Sequence, residues 1–208
     1  MTVKDENYTT GTNWVNWVLI GLNILIFIYS LTNFEYIIET YGFSPAEFSL
    51  LTILTSMFLH GGIAHLLGNM WFLFIFGDNV EDAFGHWKYL IIYLLSGVVA
   101  TLNHFALNIG STIPTVGASG AISGVLGAYI VLFPKAGVFV SGRGGVGKVS
   151  AKLMIGLWFI FQLISGTMSL FGAESNIAFF AHIGGFVFGF LVTLLLKGRL
   201  KYSYEKRL

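Results

Sequence analysis

Four polar residues stand out in this apolar chain because together they could carry acyl-transfer chemistry. Ser119 lies in Gly117-Ala118-Ser119-Gly120, His182 precedes Gly184-Gly185, and His65 and Asn69 are spaced i and i+4, which puts them on one face of a helix. A neutral imidazole at His182 could take the Ser119 hydroxyl proton, promote attack on a peptide carbonyl, and then protonate the leaving amine. The charge developing on the carbonyl oxygen would need donors. The Asn69 carboxamide, a ring N–H of His65 and the Ser119 backbone N–H could supply them. Glycine on both sides of the serine, at Gly117 and Gly120, would let a substrate backbone approach closely. There is no cysteine, which removes thiol catalysis, disulfides and Cys-ligated zinc.

These residues must be positioned by elements that suit lipid. Of 208 residues, 55% are hydrophobic and only 10% charged, against about 25% charged in an average soluble domain. The 26 glycines with only 3 prolines suit close helix packing better than a proline-rich linker. Six apolar stretches are candidate spans: Trp14 to Leu31, a shorter run Ile63 to Phe76, Tyr89 to Ala106, Val116 to Phe133, Leu153 to Phe171 and Ile177 to Leu196. The predicted fold is an all-α polytopic membrane bundle of six transmembrane helices. Its parts are an N-terminal segment (1–13), a six-helix membrane domain (14–196) and a basic tail (197–208).

With both termini on one side, all eleven lysines and arginines fall on that side: Lys4, Lys88, Lys135, Arg143, Lys148, Lys152, Lys197, Arg199, Lys201, Lys206 and Arg207. The opposite side holds only Glu35, Glu39, Glu47 and Glu174. The positive-inside rule then predicts both termini in the cytoplasm of an integral membrane protein, most simply in the cell membrane. In that topology Ser119 is about three residues into the fourth span, His182 about five into the sixth, and His65 and Asn69 within two turns of the start of the second. All lie roughly 5 to 10 Å below the outer surface. Asp5, Asp78 and Asp82 fall at the other end, so the residues point to a Ser/His pair and not a triad. The second and fourth spans, which carry this polar content, are expected to be central in the bundle. Gly120, Gly124 and Ala128 face the same spacing as Gly185 and Gly189, and packing of those two faces would bring His182 to Ser119.

His65-x-x-x-Asn69, Gly117-Ala118-Ser119-Gly120 and Ala181-His182-x-Gly184-Gly185, in this order, resemble the rhomboid intramembrane serine proteases over about Phe48 to Leu196. The resemblance implies Ser119 as nucleophile, His182 as base, and oxyanion contacts from His65 and Asn69. It implies single-span membrane proteins in the lipid bilayer as substrates, cut near the outer face without metal, nucleotide or other cofactor. Rhomboids often carry an aromatic residue one turn after the serine, stacked on the histidine. Here that position is Ser123, so His182 is expected to be held differently. The Trp-Arg pair of the first loop in many members is missing before His60. His60 itself matches a further family histidine and is expected to serve the loop.

Two connections carry expectations of their own. Thr32 to Gly62 is too long for a turn and contains the apolar piece Phe48 to Leu59, expected to be interfacial or re-entrant. Pro134 to Lys152 contains Gly-Arg-Gly-Gly-Val-Gly-Lys-Val from Gly142 to Val149, close to a phosphate-binding loop but with Val149 where Ser or Thr would ligate magnesium. With no strand expected before it, it reads as a mobile linker. His86 and His104 have no identifiable partner and read as structural. The span Leu153 to Phe171, with Trp158, Phe159, Phe161 and Phe171, carries none of the four site residues and is the expected lateral gate.

Other classes make different demands. A transporter would need an ionisable residue near mid-membrane, and none is found. A zinc protease built on His60, His65 and His182 would need a His-Glu-x-x-His or an accompanying carboxylate. Net charge +1 and the lack of a concentrated basic patch argue against a nucleic-acid partner. A catalytically silent relative that binds membrane proteins fits the same residues, and only activity separates it. The oligomeric state is not readable from the chain.

Overall fold

The computed structural model describes residues 2–7, 9, 11–142, 145–170 and 178–200. The predicted span ends Phe171 and Ile177, and the charges Arg143, Glu174, Lys201, Lys206 and Arg207, lie outside them. The described chain is mostly helical. Helix α1 is Trp14–Ser30, α2 Phe34–Tyr41, α3 Leu50–Thr55, α4 Ile63–Phe72, α5 Asp78–Phe84, α6 His86–Leu107, α7 Ser119–Leu132, α8 Ala151–Leu170 and α9 Phe179–Leu196. Three stretches, His86–Leu107, Ala151–Met168 and Phe179–Arg199, are each long and apolar enough to cross a membrane. A fourth crossing is available if Leu50–Phe58 and Ile63–Phe84, bent by 86° relative to each other, count as one span. Trp14–Ser30 and Ser119–Leu132 are apolar but shorter.

Helix α7 forms the centre. Twelve of its fourteen residues are buried, because small side chains let neighbours approach its backbone from several sides. A Cβ at Gly185 would sit 2.0 Å from the Gly120 carbonyl oxygen, and one at Gly189 2.0 Å from that of Gly124. On another face, a Cβ at Gly120 would meet Ala100 of α6 at 2.5 Å, and one at Gly124 the Ser96 hydroxyl at 2.0 Å. The expected packing of the two glycine faces is thus present. The second predicted span is not central in the same way: Leu66, Asn69 and Met70 of α4 are buried, but Ile63 and Leu67 are 67% and 62% exposed. Its polar residues occupy one stripe and leave the other face to lipid. After Phe72 the helix passes through a π-helical turn, Leu73–Gly77, before α5.

The long first connection is built, as expected, from an apolar bent segment: α3 and a 3₁₀ turn, Ser56–Phe58, leading into α4. The linker expectation for Pro134 to Lys152 is corrected. Gly137–Gly142 (β2) and Gly145–Ser150 (β3) form an antiparallel hairpin, and Thr2–Asp5 (β1) adds to β2, giving sheet order β1-β2-β3. The run Gly-Val-Phe-Val-Ser-Gly has the β-branched and aromatic content of a strand. Gly145, the first residue of β3, has φ +110°, a backbone conformation that favours glycine. The 1–13 segment is therefore tied to the bundle in part. Glu6 accepts from the Gly137 backbone N–H (2.5 Å) and pairs with Lys148.

Two buried carboxylates fasten this end. Asp5 accepts from Asn7 (2.8 Å), Asn79 (2.8 Å) and the Tyr129 hydroxyl (2.7 Å). Burial holds its carboxyl above the ordinary range, while the three donors act in the opposite direction. Glu81, fully buried, accepts from the backbone N–H groups of Val15 (3.1 Å) and Asn16 (2.7 Å). It thereby caps α1, whose own preceding residue makes no side-chain cap. His86 is not partnerless: its Nδ1 is 2.5 Å from Glu81, and its ring lies against Trp14.

Candidate functional site

Ser119 is the first residue of α7, so its backbone N–H is among those left free by the helix and its side chain meets the positive end of the helix dipole. The fourth predicted span thus begins its helix at the serine itself, not three residues earlier. The approach is extended and strained, and glycine makes it possible. Gly117 has φ +131°, and a Cβ there would lie 2.8 Å from His65 Nε2 and 3.5 Å from Ser119 Oγ. Its N–H donates to the Ser56 carbonyl (2.9 Å), which pins the approach to the bent segment below it.

His182 stands in the first turn of α9, whose glycine contacts set it opposite Ser119. The Ser119 hydroxyl and His182 Nε2 are 2.7 Å apart. On the other side of the ring, Nδ1 is 2.9 Å from Oε1 of Gln162 on α8. Both contacts are satisfied by one tautomer: Nδ1–H donates to the amide oxygen, and Nε2 accepts from the hydroxyl. Trp158, one turn before Gln162, sets its ring 5.9 Å from that of His182. The aromatic neighbour that Ser123 cannot supply comes from α8. Ser123 instead donates to the Ser119 carbonyl (2.6 Å).

A cavity of about 1300 Å³ opens over this pair. It is lined by His65, Gly117, Ser119, Gly120, His104 and His182 among others, which is ample space for water, at roughly 30 Å³ per molecule. Asn69 is not among the lining residues. It is buried one turn behind His65 and donates to the His65 carbonyl (3.0 Å). His60 is fully buried, its ring edge-on to that of His65 at 5.2 Å. His104, expected to have no partner, meets Thr115 through Nε2 (2.9 Å) and Asn108 through Nδ1 (3.3 Å). Asn108 is four residues on from His104, a helical spacing that could have revealed it, whereas Thr115 lies in the loop after α6, where spacing gave no hint.

Sequence reasoning missed Gln162. One amide in a long apolar helix is common enough to pass as tolerated. The available signal was that a polar group in a lipid-spanning segment needs a partner. No cluster of metal-ligating side chains occurs among the described residues.

A helical membrane protein with a serine and a histidine hydrogen-bonded beside an open cavity is the class that fold and site define. The Rhomboid domain family model matches residues 47–199, and the chain belongs to the rhomboid family. Among its relatives, the rhomboid protease GluP of Bacillus subtilis (strain 168) is 32% identical over 97% of this chain and 38% of its own length. RHOMBOID-like protein 4 of Arabidopsis thaliana is 35% identical over 73% of this chain and 35% of its own. The Bacillus subtilis protein YdcA is 27% identical over 98% of this chain and 100% of its own. The chain therefore spans little more than a third of the first two and the whole of the third.

Proposed function

We propose that the protein is an intramembrane serine endopeptidase that cuts single-span membrane proteins at or near their transmembrane segments. The observation that carries this reading is the 2.7 Å contact between Ser119 Oγ and His182 Nε2 beside an open cavity. Ser119 is the nucleophile and His182 the base. The hydroxyl proton passes to Nε2 as Oγ attacks the carbonyl carbon, and the imidazolium then protonates the leaving amine. Water from the cavity hydrolyses the acyl-enzyme by the reverse proton path. The oxyanion is met by the Ser119 backbone N–H and by a ring N–H of His65, with the second Asn69 amide N–H as a third donor once that side chain turns from the His65 carbonyl toward the cavity. Gly117 leaves room for the substrate backbone, whereas the space beside Gly120 is taken by Ala100 of α6, so Gly120 serves the helix packing that holds the site. No cofactor and no nucleic acid enter this scheme.

In this reading six spans, α1, α4 with its continuation, α6, α7, α8 and α9, cross the bilayer between residues 14 and 196, with 1–13 and 197–208 in the cytoplasm. The described basic residues support that orientation. Lys88 and Lys152 stand in the first turns of α6 and α8, Lys135 and Lys148 beside or in the hairpin, and Lys197 and Arg199 just past α9. All are at the end of α7 remote from Ser119. Helix α7 is about 21 Å long, short of the ~30 Å hydrocarbon layer, which sets its first residue beneath the outer surface. A substrate must then enter sideways, and α8 is the gate.

The test is cleavage of a tagged single-span substrate by the purified protein in detergent or liposomes, with Ser119→Ala and His182→Ala beside the wild type. Cleavage abolished in both folded variants is the expected result. A folded wild type that cuts none of several substrates would instead leave a protein that binds membrane proteins without hydrolysing them.

A further inference from the structure

We infer that Gln162 is the positioning residue for His182, and that because it rides on α8 the orientation of the base is tied to the place of that helix. This rests on the protease reading above. An amide buried on a lipid-spanning helix is costly without a partner, and Gln162 is 5% exposed. The flank of α8 that faces away from the bundle is apolar: Leu153, Leu157, Phe161, Ile164 and Met168 are each more than half exposed. Gln162 turns the other way, to His182.

The imidazole has two functions at once: to accept a proton on Nε2 and to keep its ring plane aimed at Ser119. An acceptor at Nδ1 secures both, since a proton held there excludes the tautomer that would present N–H to the serine. In many serine hydrolases that acceptor is a carboxylate, which also stabilises the imidazolium. Here it is neutral. The other titratable groups facing His182 are His65 from α4 and His104 from α6, and among the described residues no carboxylate lines the cavity. The amide thus orients the ring without adding charge. Trp158 on the same helix walls the ring, so both neighbours that hold it move together with α8. A displacement of α8 that admits substrate frees His182, and its return restores the aim.

Gln162→Met keeps the volume and removes the acceptor, whereas Gln162→Glu keeps the acceptor and adds charge. Two readouts are needed: cleavage of a single-span substrate, and labelling of Ser119 by a small fluorophosphonate, which reports on the nucleophile without passage of a helix. With Met, kcat and the labelling rate should both fall about tenfold to a hundredfold, with KM little changed. With Glu, the rate at neutral pH should recover, and the acid limb of the pH–rate profile should move to higher pH by about one unit, because a carboxylate favours the protonated ring. Should the Met variant not fold, the displaced acid limb of the Glu variant decides alone. Wild-type labelling rates in Gln162→Met, or an unmoved acid limb in Gln162→Glu, would overturn the positioning role. A wild type that neither cleaves nor is labelled would overturn the protease reading instead.

Discussion

A methyl group added at Gly185 is the smallest change that should part the two helices bearing Ser119 and His182. Its Cβ would lie 2.0 Å from the Gly120 carbonyl oxygen. That oxygen belongs to the backbone of α7 and cannot swing away. Ordinary contact begins near 3.4 Å, so α9 and α7 must separate by about 1.4 Å at this level in an otherwise close-packed core. His182 is one turn from Gly185 and Ser119 is next to Gly120, so the 2.7 Å hydrogen bond would stretch to about 4 Å, beyond bonding range. A misplacement of about 1 Å can cost roughly 100-fold in rate, and overpacking costs about 1 to 3 kcal/mol in stability. Gly185→Ala should therefore cleave a single-span substrate about 100-fold more slowly while still folding at a lower unfolding temperature. Gly21→Ala on α1, where a Cβ meets nothing within 4 Å, is the control and should keep full activity. If Gly185→Ala cleaves within twofold of wild type at an unchanged unfolding temperature, the helix contact does not set the distance between the two side chains.

Other consequences are open to direct measurement. Glu81→Ala strands the first N–H groups of α1 and the His86 ring, and should lower stability by about 2 to 4 kcal/mol in reversible unfolding; Glu81→Gln should lose less. Burial raises the carboxyl of Asp5 in the native state, so the native protein holds its proton more strongly than the unfolded chain. Asp5's own contribution to stability is then present below the ordinary carboxylate pKa and lost as pH rises through the raised native value. Asp5→Asn should flatten that part of the curve of unfolding temperature against pH, and an unaltered slope would reject the assignment. A pair of engineered cysteines joining α8 to α4, free of background in a chain without native cysteine, should block cleavage of a membrane substrate on oxidation and release it on reduction. Unchanged turnover when cross-linked would exclude α8 as the gate.

Much of the site was readable in the chain because its chemistry is carried by local patterns. An i, i+4 pair sits on one helix face whatever surrounds it, and a serine between glycines marks a close backbone approach. The glycine spacings of α7 and α9 foretold their contact for the same reason. What escaped depends on distant partners. The Gln162 amide has meaning only once α8 is placed beside α9. Glu81 caps α1 through Val15, 66 residues earlier, and Thr115 meets His104 from a loop. The hairpin was misread for a different reason. Its glycines suggested flexibility, while the β-branched and aromatic run Val138-Phe139-Val140 was overshadowed by a near match to a phosphate loop. The start of the fourth span was misjudged by three residues, because the apolar run from Val116 is continuous in sequence while the helix begins only at Ser119, after the turn at Gly117.

The capture of β1 by the hairpin bears on how the protein is made. The strand leaves the ribosome before its partner, which follows only after α1, α4, α6 and α7 have been synthesised. Until then its hydrogen-bonding edge stays open, and such edges invite association with other chains. Closing the sheet also joins segments far apart in sequence, the kind of contact that forms slowly. It can close only once the helices between them have brought both segments to the same end of the bundle, so the sheet is among the last contacts the chain can make.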